Sequence, residues 1–242
     1  DNKATIAEEG GIKAIVTAMR QHKKSVAVQE KACGALWNLS VNDDNEFAIA
    51  EEGGIKAKAG GIKAVVSAMR RHEELVGVEE QACLALVNLA RSNNDNKIAI
   101  AKAGGIEAVV SAMRRHEESM GLQEQACAAL WGLAINNNDN RMAIAKAGGL
   151  EAVVTAMRRH EGSAGVQEDA CWALANMAWN NNNNKTAIAK EGGIEAVVLA
   201  MRQHEGLAAV QERACGALAN LACNSNANRI AIAKAGGIAR RS

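Results

Sequence analysis

The chain repeats one phrase at a fixed interval. The motif K-A-G-G-[IL]-x-A-V-V-x-A-M-R-x-H recurs in whole or in part, and its second glycine returns every 44 residues. These glycines are Gly61, Gly105, Gly149, Gly193 and Gly237. A period of this length indicates a stack of small supersecondary units, each of which buries its apolar face against the next. Functional residues are therefore expected in rows of equivalent positions.

The composition favours a fold of closely packed helices. Apolar residues make up 48% of the chain, but aromatic residues only 2%, and proline is absent. Small aliphatic side chains must do the packing, and no helix is interrupted by proline. The net charge of +1 gives no general attraction to nucleic acid or to anionic membranes, and no apolar run is long enough to span a bilayer. We expect a cytoplasmic protein, with the nucleus as an alternative.

Cysteine and histidine each recur at a single repeat position, as structural residues do. Five of the six cysteines lie in an Ala/Leu-rich helix: Cys33, Cys83, Cys127, Cys171 and Cys215. The histidines close an apolar helix: His22, His72, His116, His160 and His204. We predict reduced core thiols and histidines that satisfy helix-end carbonyls. No nucleophile–base set or metal-ligand cluster falls within one repeat, so we predict no catalysis, no metal and no cofactor.

Residues 95–136 predict three helices. Asp95 and Asn96 open a short helix that Gly104-Gly105 ends. A second helix follows, and its apolar face comprises Ile106, Val109, Val110 and Met113. A third runs from about Leu122 to Ile135, and its buried side comprises Leu122, Ala126, Ala129, Leu130 and Leu133.

This order of helices and the sequence pattern of the third helix resemble the armadillo repeat. Residues 28–40 read V-Q-E-K-A-C-G-A-L-W-N-L-S and are similar to the family's third-helix pattern, with variants at 78–90, 122–134, 166–178 and 210–222. HEAT repeats are the nearest rival, but they have two helices per unit and usually a proline. The resemblance implies an all-α, right-handed α–α superhelix, that is, an armadillo-repeat solenoid.

The repeats predict one domain over residues 1–242. Their approximate bounds are 1–42, 58–94, 95–138, 139–182 and 183–226, followed by a partial repeat at 227–242. The joint at 43–63 is irregular, because a Gly-Gly pair occurs twice, seven residues apart, at Gly54 and Gly61. Two explanations stay open: residues 51–57 are an insertion, or part of another repeat is missing there.

Positions four apart on the third helix form a stripe that need not fill the core. Its first row is acidic: Glu30, Glu80, Glu124, Glu168 and Glu212. Its last row is asparagine, with Gly132 as a gap: Asn38, Asn88, Asn176 and Asn220. The resemblance implies that these asparagines hold the backbone of an extended peptide in a concave groove. The glutamates have two interpretations, complements of their own helix dipole or a track for basic peptides.

Tryptophan distinguishes the repeats. Trp172 precedes Asn176 by four residues, which is similar to the Trp–Asn pairs of family members that bind basic nuclear-import signals. Because only one such pair is present, an importin-like function is disfavoured. Trp37, Trp131 and Trp179 form a neighbouring ridge, with packing between repeats and groove pockets as the two interpretations.

Basic residues end the second helices. They are Arg20, Arg70, Arg71, Arg114, Arg115, Arg158, Arg159 and Arg202. We expect a solvated edge that matches the helix dipole and is neutralised by the adjacent glutamates, and therefore no nucleic-acid track.

The sequence predicts a non-catalytic scaffold that binds an extended or disordered segment of a partner protein. Two alternatives stay open. One is a structural module that associates end to end through uncapped repeats. The other is a chain without an evolved ligand, since near-identical repeats arise by consensus design as well as by recent duplication.

Overall fold

The described part of the protein is helical throughout. The structure is a computed structural model, and it describes residues 2–42, 45–46, 48–49, 60–91 and 93–237, among which no strand occurs. The chain forms two compact units, Asp1–His116 and Glu117–Ser242. Residues 51–57, on which the two explanations of the joint depend, lie outside the described residues.

Short, medium and long helices alternate as the repeat predicts. The first helices are Asn2–Glu8, Asn94–Lys102, Asn138–Lys146, Asn182–Lys190 and Asn226–Gly237. The second helices are Gly11–Gln21, Gly60–Arg71, Gly105–Arg115, Gly149–Arg159 and Gly193–Gln203. The third helices are Val26–Leu39, Val76–Arg91, Met120–Ala134, Ala164–Ala178 and Ala208–Ala222. The all-α fold class is confirmed.

Helix starts differ slightly from the predicted ones. Asn93, not Asp95, caps the first helix of the third repeat, because its side chain accepts a hydrogen bond from the Asn96 N–H. The third helix begins at Met120 because the Ser119 hydroxyl accepts from the Leu122 N–H. The same serine cap recurs at Ser25 and Ser163.

The Gly-Gly pair makes the turn between the first and second helices, as predicted. Gly104 has a φ of +79°, a left-handed conformation that glycine adopts without strain. Gly105 lies so close to Ile100 that a Cβ there would be 2.5 Å from the Ile100 Cγ2. The predicted apolar faces of this repeat's second and third helices are also confirmed, since every residue named for them is buried.

Four of the five repeated cysteines are buried, and Cys215 is not. The prediction of a core thiol is therefore wrong at Cys215. The preceding third helix, Ala164–Ala178, packs against Ala208–Ala222. In the first, third and fourth repeats, the third helix that carries the buried cysteine also packs against the next third helix. No third helix follows Ala208–Ala222 within the described residues, so Cys215 is left uncovered. Cys223, at the end of the same helix, is also exposed.

Histidines link successive repeats as well as ending helices. The imidazole Nε2 lies 2.8 Å from a turn carbonyl of the preceding repeat in four pairs: His72–Lys23, His116–Glu73, His160–Glu117 and His204–Glu161. A carbonyl oxygen can only accept, so Nε2 carries the proton in each pair. The sequence predicted a donor at this position, but not that its acceptor belongs to the neighbouring repeat.

The arginine edge is paired with the adjacent glutamates, as predicted, and it also joins repeats. The Arg70 and Arg158 guanidiniums donate to the carbonyls of Gly104 and Glu191, at the ends of the following first helices. Arg115 pairs with both Glu73 and Glu74 of the preceding turn, and Arg159 pairs likewise with Glu117 and Glu118. These side chains are partly exposed, so each pair contributes little to stability alone.

A glutamine ties the third helix to the second helix of the same repeat in the first, fourth and fifth repeats. The Gln29 amide donates to the carbonyls of Met19 and His22, and Gln167 and Gln211 make the equivalent bonds. The second repeat has Glu79 at this position, only 2% exposed. Among the described residues, Glu79 Oε2 has no hydrogen-bond partner. An ionised carboxylate cannot replace the amide donor, so this is a weak point of the core.

Candidate functional site

The stripe of third-helix residues follows the predicted face in each unit. In the first unit Asn38 is exposed and Glu30, Glu80 and Trp37 are partly exposed. Asn88 is buried, at 8% exposure. In the second unit Glu124, Glu168, Trp172, Asn176 and Asn220 are partly exposed, and Glu212 is exposed. Gly132, where the asparagine row is interrupted, is buried.

The asparagine amides are held in two different ways. Asn38 and Asn176 donate through Nδ2 to carbonyls of their own helix, Gly34 at 2.9 Å and Trp172 at 2.8 Å. Asn88 and Asn220 instead reach the preceding third helix, where they donate to Trp37 at 3.3 Å and Ala175 at 2.9 Å. Two members of the row therefore also bind adjacent repeats together.

Each amide keeps capacity for a ligand. Nδ2 carries two hydrogens, and the bonds above use one of them in each asparagine. In the described part of the chain, no hydrogen bond is made to the Oδ1 of Asn38, Asn88, Asn176 or Asn220. One fixed bond orients each amide, so that a donor and an acceptor remain on the same side chain.

The glutamates do not lie where their dipole interpretation placed them. Glu30 and Glu124 are each the fifth residue of their helices, beyond the first turn. Their carboxylates lie instead against the start of the following third helix, beside Gly77 and Gly165. A carboxylate at that place complements the positive end of the next helix. The glutamate row therefore contributes to stacking between repeats as well as lining the face.

The Trp172 ring already has a cation over it. The Arg213 guanidinium lies 4.2 Å from the ring centroid, and its Nε is 3.9 Å from a Glu168 oxygen. A Cβ on Gly216 would contact the same ring at 3.8 Å. The one Trp–Asn pair of the chain therefore packs against the next repeat, and a ligand cation would have to displace Arg213 from the ring.

The three other tryptophans differ from one another. The Trp37 carbonyl accepts from both Asn88 and Ser40, so its backbone is part of the repeat junction. Trp131 is partly exposed, but its indole nitrogen is buried and, among the described residues, makes no hydrogen bond of ordinary geometry. Trp179 is 51% exposed and caps the end of its helix. Which of them forms a groove pocket stays a prediction.

An acidic cluster in the second unit was missed by the sequence analysis. Burial, together with the negative charges of Glu124 and Glu168, raises the pKa of Asp169 to about 7. The Trp131 indole and Arg213 act in the opposite direction. The sequence alone could have singled out the repeat position of Asp169, because its residue changes between repeats. The residues are Lys31, Gln81, Gln125, Asp169 and Arg213.

The described residues contain no group of three or more His, Cys, Asp and Glu side chains placed to hold a metal ion. In the same part of the chain, no helix has both the length and the apolar character needed to cross a membrane.

These features define a class, repeat proteins built from stacked three-helix units with a polar third-helix face. Residues 1–41, 93–135 and 137–179 match the family model described as Armadillo/beta-catenin-like repeat. The chain belongs to this family.

A known protein is similar to part of this chain. Protein aardvark from Dictyostelium discoideum is 39% identical over 65 residues, which cover 23% of this chain and 9% of that protein. This chain therefore matches only a small part of its curated relative.

Solved structures extend the likeness over the chain. An engineered protein is 27% identical with a TM-score of 0.80, and the match covers 95% of this chain and 86% of the other. A designed armadillo repeat protein in complex with the peptide (KR)4 is 21% identical with a TM-score of 0.77, over 93% and 88% of the two chains.

Proposed function

We propose that this protein is a non-catalytic interaction scaffold that binds an extended peptide segment of a partner along its third-helix face. One observation carries the proposal. The amides of Asn38, Asn176 and Asn220 are each oriented by one intramolecular bond and are at least partly exposed, so that Oδ1 and the second N–H stay available. An amide with both groups can bind the C=O and N–H of a peptide backbone, whatever the peptide's sequence.

Sequence preference comes from the positions between the asparagines. In the second unit the carboxyl groups of Glu124, Glu168 and Asp169 share one electrostatic cluster. Such a cluster favours a lysine or arginine side chain, which would neutralise repulsion among the carboxylates. The basic peptide (KR)4 is bound by a designed protein of the same fold, and at 21% identity that likeness is one of fold.

Selection from a random peptide library would test the proposal. The intact protein is immobilised, peptides are enriched on it, and each enriched peptide is titrated by fluorescence anisotropy. We expect extended peptides with basic residues to be enriched. The Asn38→Ala/Asn176→Ala variant should bind them about tenfold more weakly, since each lost backbone bond is worth about 1 kcal/mol.

The matched control is Asn182→Ala/Asn183→Ala. These two exposed asparagines lie at the start of a first helix, away from the third helices. The control should bind as the wild type does. Equal loss in both variants, or no enrichment of any peptide by the wild type, would refute the proposal.

A further inference from the structure

A half-open cavity of about 320 Å³ lies between the first two repeats, along the helix Gly60–Arg71 and beside the end of the helix Gly11–Gln21. Four cations line it: Arg20, Lys23, Lys63 and Arg71. The Ser67 hydroxyl and the backbone at Gly60, the first residue of the helix Gly60–Arg71, also line it. No carboxylate belongs to the lining among the described residues.

Between the second and third repeats, the equivalent four positions carry two positive and two negative charges. The residues equivalent to these four cations are Arg70, Glu73, Glu107 and Arg115. There Arg115 pairs with Glu73 at 3.1 Å, and Arg70 and Glu107 both lie beside Gly104. The first pair of repeats thus has lysine at both positions where the second pair has glutamate. Its cavity keeps the arginines without their carboxylate partners.

Lys63 also lies at an electrostatically unfavourable position in its helix. It lies in the first turn of Gly60–Arg71, where the second helices of the three following repeats carry an acid. A cation near the positive end of a helix is unfavourable, whereas an anion there is stabilised. A bound anion would relieve both this interaction and the repulsion among the four cations.

We infer that this cavity binds a compact anion that carries two or more phosphate groups. The volume is near the lower limit for small-molecule sites and too small for a folded partner. Guanidinium groups match the geometry of phosphate oxygens, and lysines add point charges. Each phosphate monoester carries a charge of about −1.5 to −2 at neutral pH, so two or more phosphates balance four cations. The anion is a free polyphosphate or the headgroup of a phosphorylated lipid.

Tripolyphosphate titrated into the intact protein by calorimetry at low ionic strength is the probe. We expect one binding event, and Lys23→Glu/Lys63→Glu should weaken it about tenfold or more, because it removes two charge-assisted contacts. This variant has the charge pattern of the next pair of repeats, so it should fold at least as well as the wild type. Its circular dichroism and melting temperature check this.

Lys13→Glu/Lys102→Glu is the matched control. Both lysines are exposed, neither lines the cavity, and the change in net charge is the same. The control should weaken binding by less than about twofold, since surface charges act weakly at a distance. Absence of binding by the wild type, or equal weakening in both variants, would overturn the assignment.

Vesicles distinguish the two sources of the anion. The protein is co-sedimented with phosphatidylcholine vesicles, with and without phosphatidylinositol bisphosphate. Sedimentation that requires the phosphorylated lipid and is lost in Lys23→Glu/Lys63→Glu supports the site and assigns a lipid headgroup. Tripolyphosphate binding without such sedimentation supports the site and assigns a soluble anion. Sedimentation that persists in the variant would overturn the assignment.

Discussion

At the scale of single residues, Glu79 is the clearest departure from the repeat. It occupies a glutamine position in the core, and burial raises its pKa to about 8 from an ordinary value of 4.5. That value includes smaller contributions from the charge of Glu73, which raises the pKa, and from Arg115, which lowers it. Between these two pH values the folded protein keeps a proton that the unfolded chain has lost. The free energy of unfolding therefore falls as pH rises through this window, by about 1.4 kcal/mol per unit from this group.

Glu79→Gln should remove that dependence. The amide restores the donor that Gln29, Gln167 and Gln211 supply in other repeats. We expect little change near pH 4 and a stabilisation that grows to several kcal/mol near pH 8, as the slope of about 1.4 kcal/mol per pH unit requires. Urea unfolding of both proteins across this range measures the effect. A constant difference between them at every pH would contradict the assignment.

The asparagine row separates into structural and available members. Asn220→Ala removes a bond between two third helices and should lower the free energy of unfolding by about 1 kcal/mol. Asn176→Ala removes only a bond within its own helix and should change it by less than about 0.5 kcal/mol. Denaturant unfolding measures both. Equal losses would show that the two amides do not differ in role.

We expect Asp169 to make the proposed peptide binding depend on pH. Its pKa of about 7 means that its charge is largely lost in mildly acidic solution. Binding of a lysine or arginine side chain favours the ionised form, so it should release a proton and strengthen severalfold from about pH 6 to about pH 8. Calorimetry of a basic peptide in buffers of different ionisation enthalpy measures the proton release. Asp169→Asn should abolish it, and release that persists in this variant would place the titrating group elsewhere.

At the scale of helices, the sequence predicts the features that depend on nearby residues, namely buried faces and turns. The apolar period located the buried faces of Gly105–Arg115 and Met120–Ala134, and the Gly-Gly pair located the turn before the former. What it did not predict depends on a neighbouring repeat. The acceptors of His116 and Arg70 and the position of Glu124 against Gly165 all result from stacking. Glu79 and Lys23 were nevertheless detectable, because each differs from its equivalents in other repeats, whereas Lys63 differs only from the glutamates of the three following repeats.

The turn at Gly104 supports one prediction at this scale. Gly104→Ala should destabilise the protein by about 1–3 kcal/mol, because alanine is strained at positive φ and its Cβ would collide with the Arg70 guanidinium. Gly162→Ala is the control, since its φ is not in the left-handed region and a Cβ there meets nothing within 4 Å. Thermal unfolding of both variants measures the difference. Similar melting temperatures would contradict this account of the turn.

At the scale of the whole molecule, a repeated sequence distributes function over equivalent positions. The uniform residues hold the repeats together: the histidines, the arginines and part of the asparagine row. The residues that differ, such as Asp169, Arg213 and Lys23, give each repeat its own charge. Family membership established the fold, whereas in our proposal ligand preference depends on these few differences. One domain across all 242 residues stays a prediction.

The central claim is that asparagine side chains bind a peptide through its backbone. The most direct measurement compares a selected peptide with copies methylated at one backbone nitrogen each, titrated against the intact protein. The account predicts that methylation at alternate positions weakens binding about tenfold, because each such nitrogen loses a hydrogen bond to an asparagine Oδ1. Asn38→Ala/Asn176→Ala should lose sensitivity at the positions those residues contact. Unchanged affinity for every methylated copy would contradict the account.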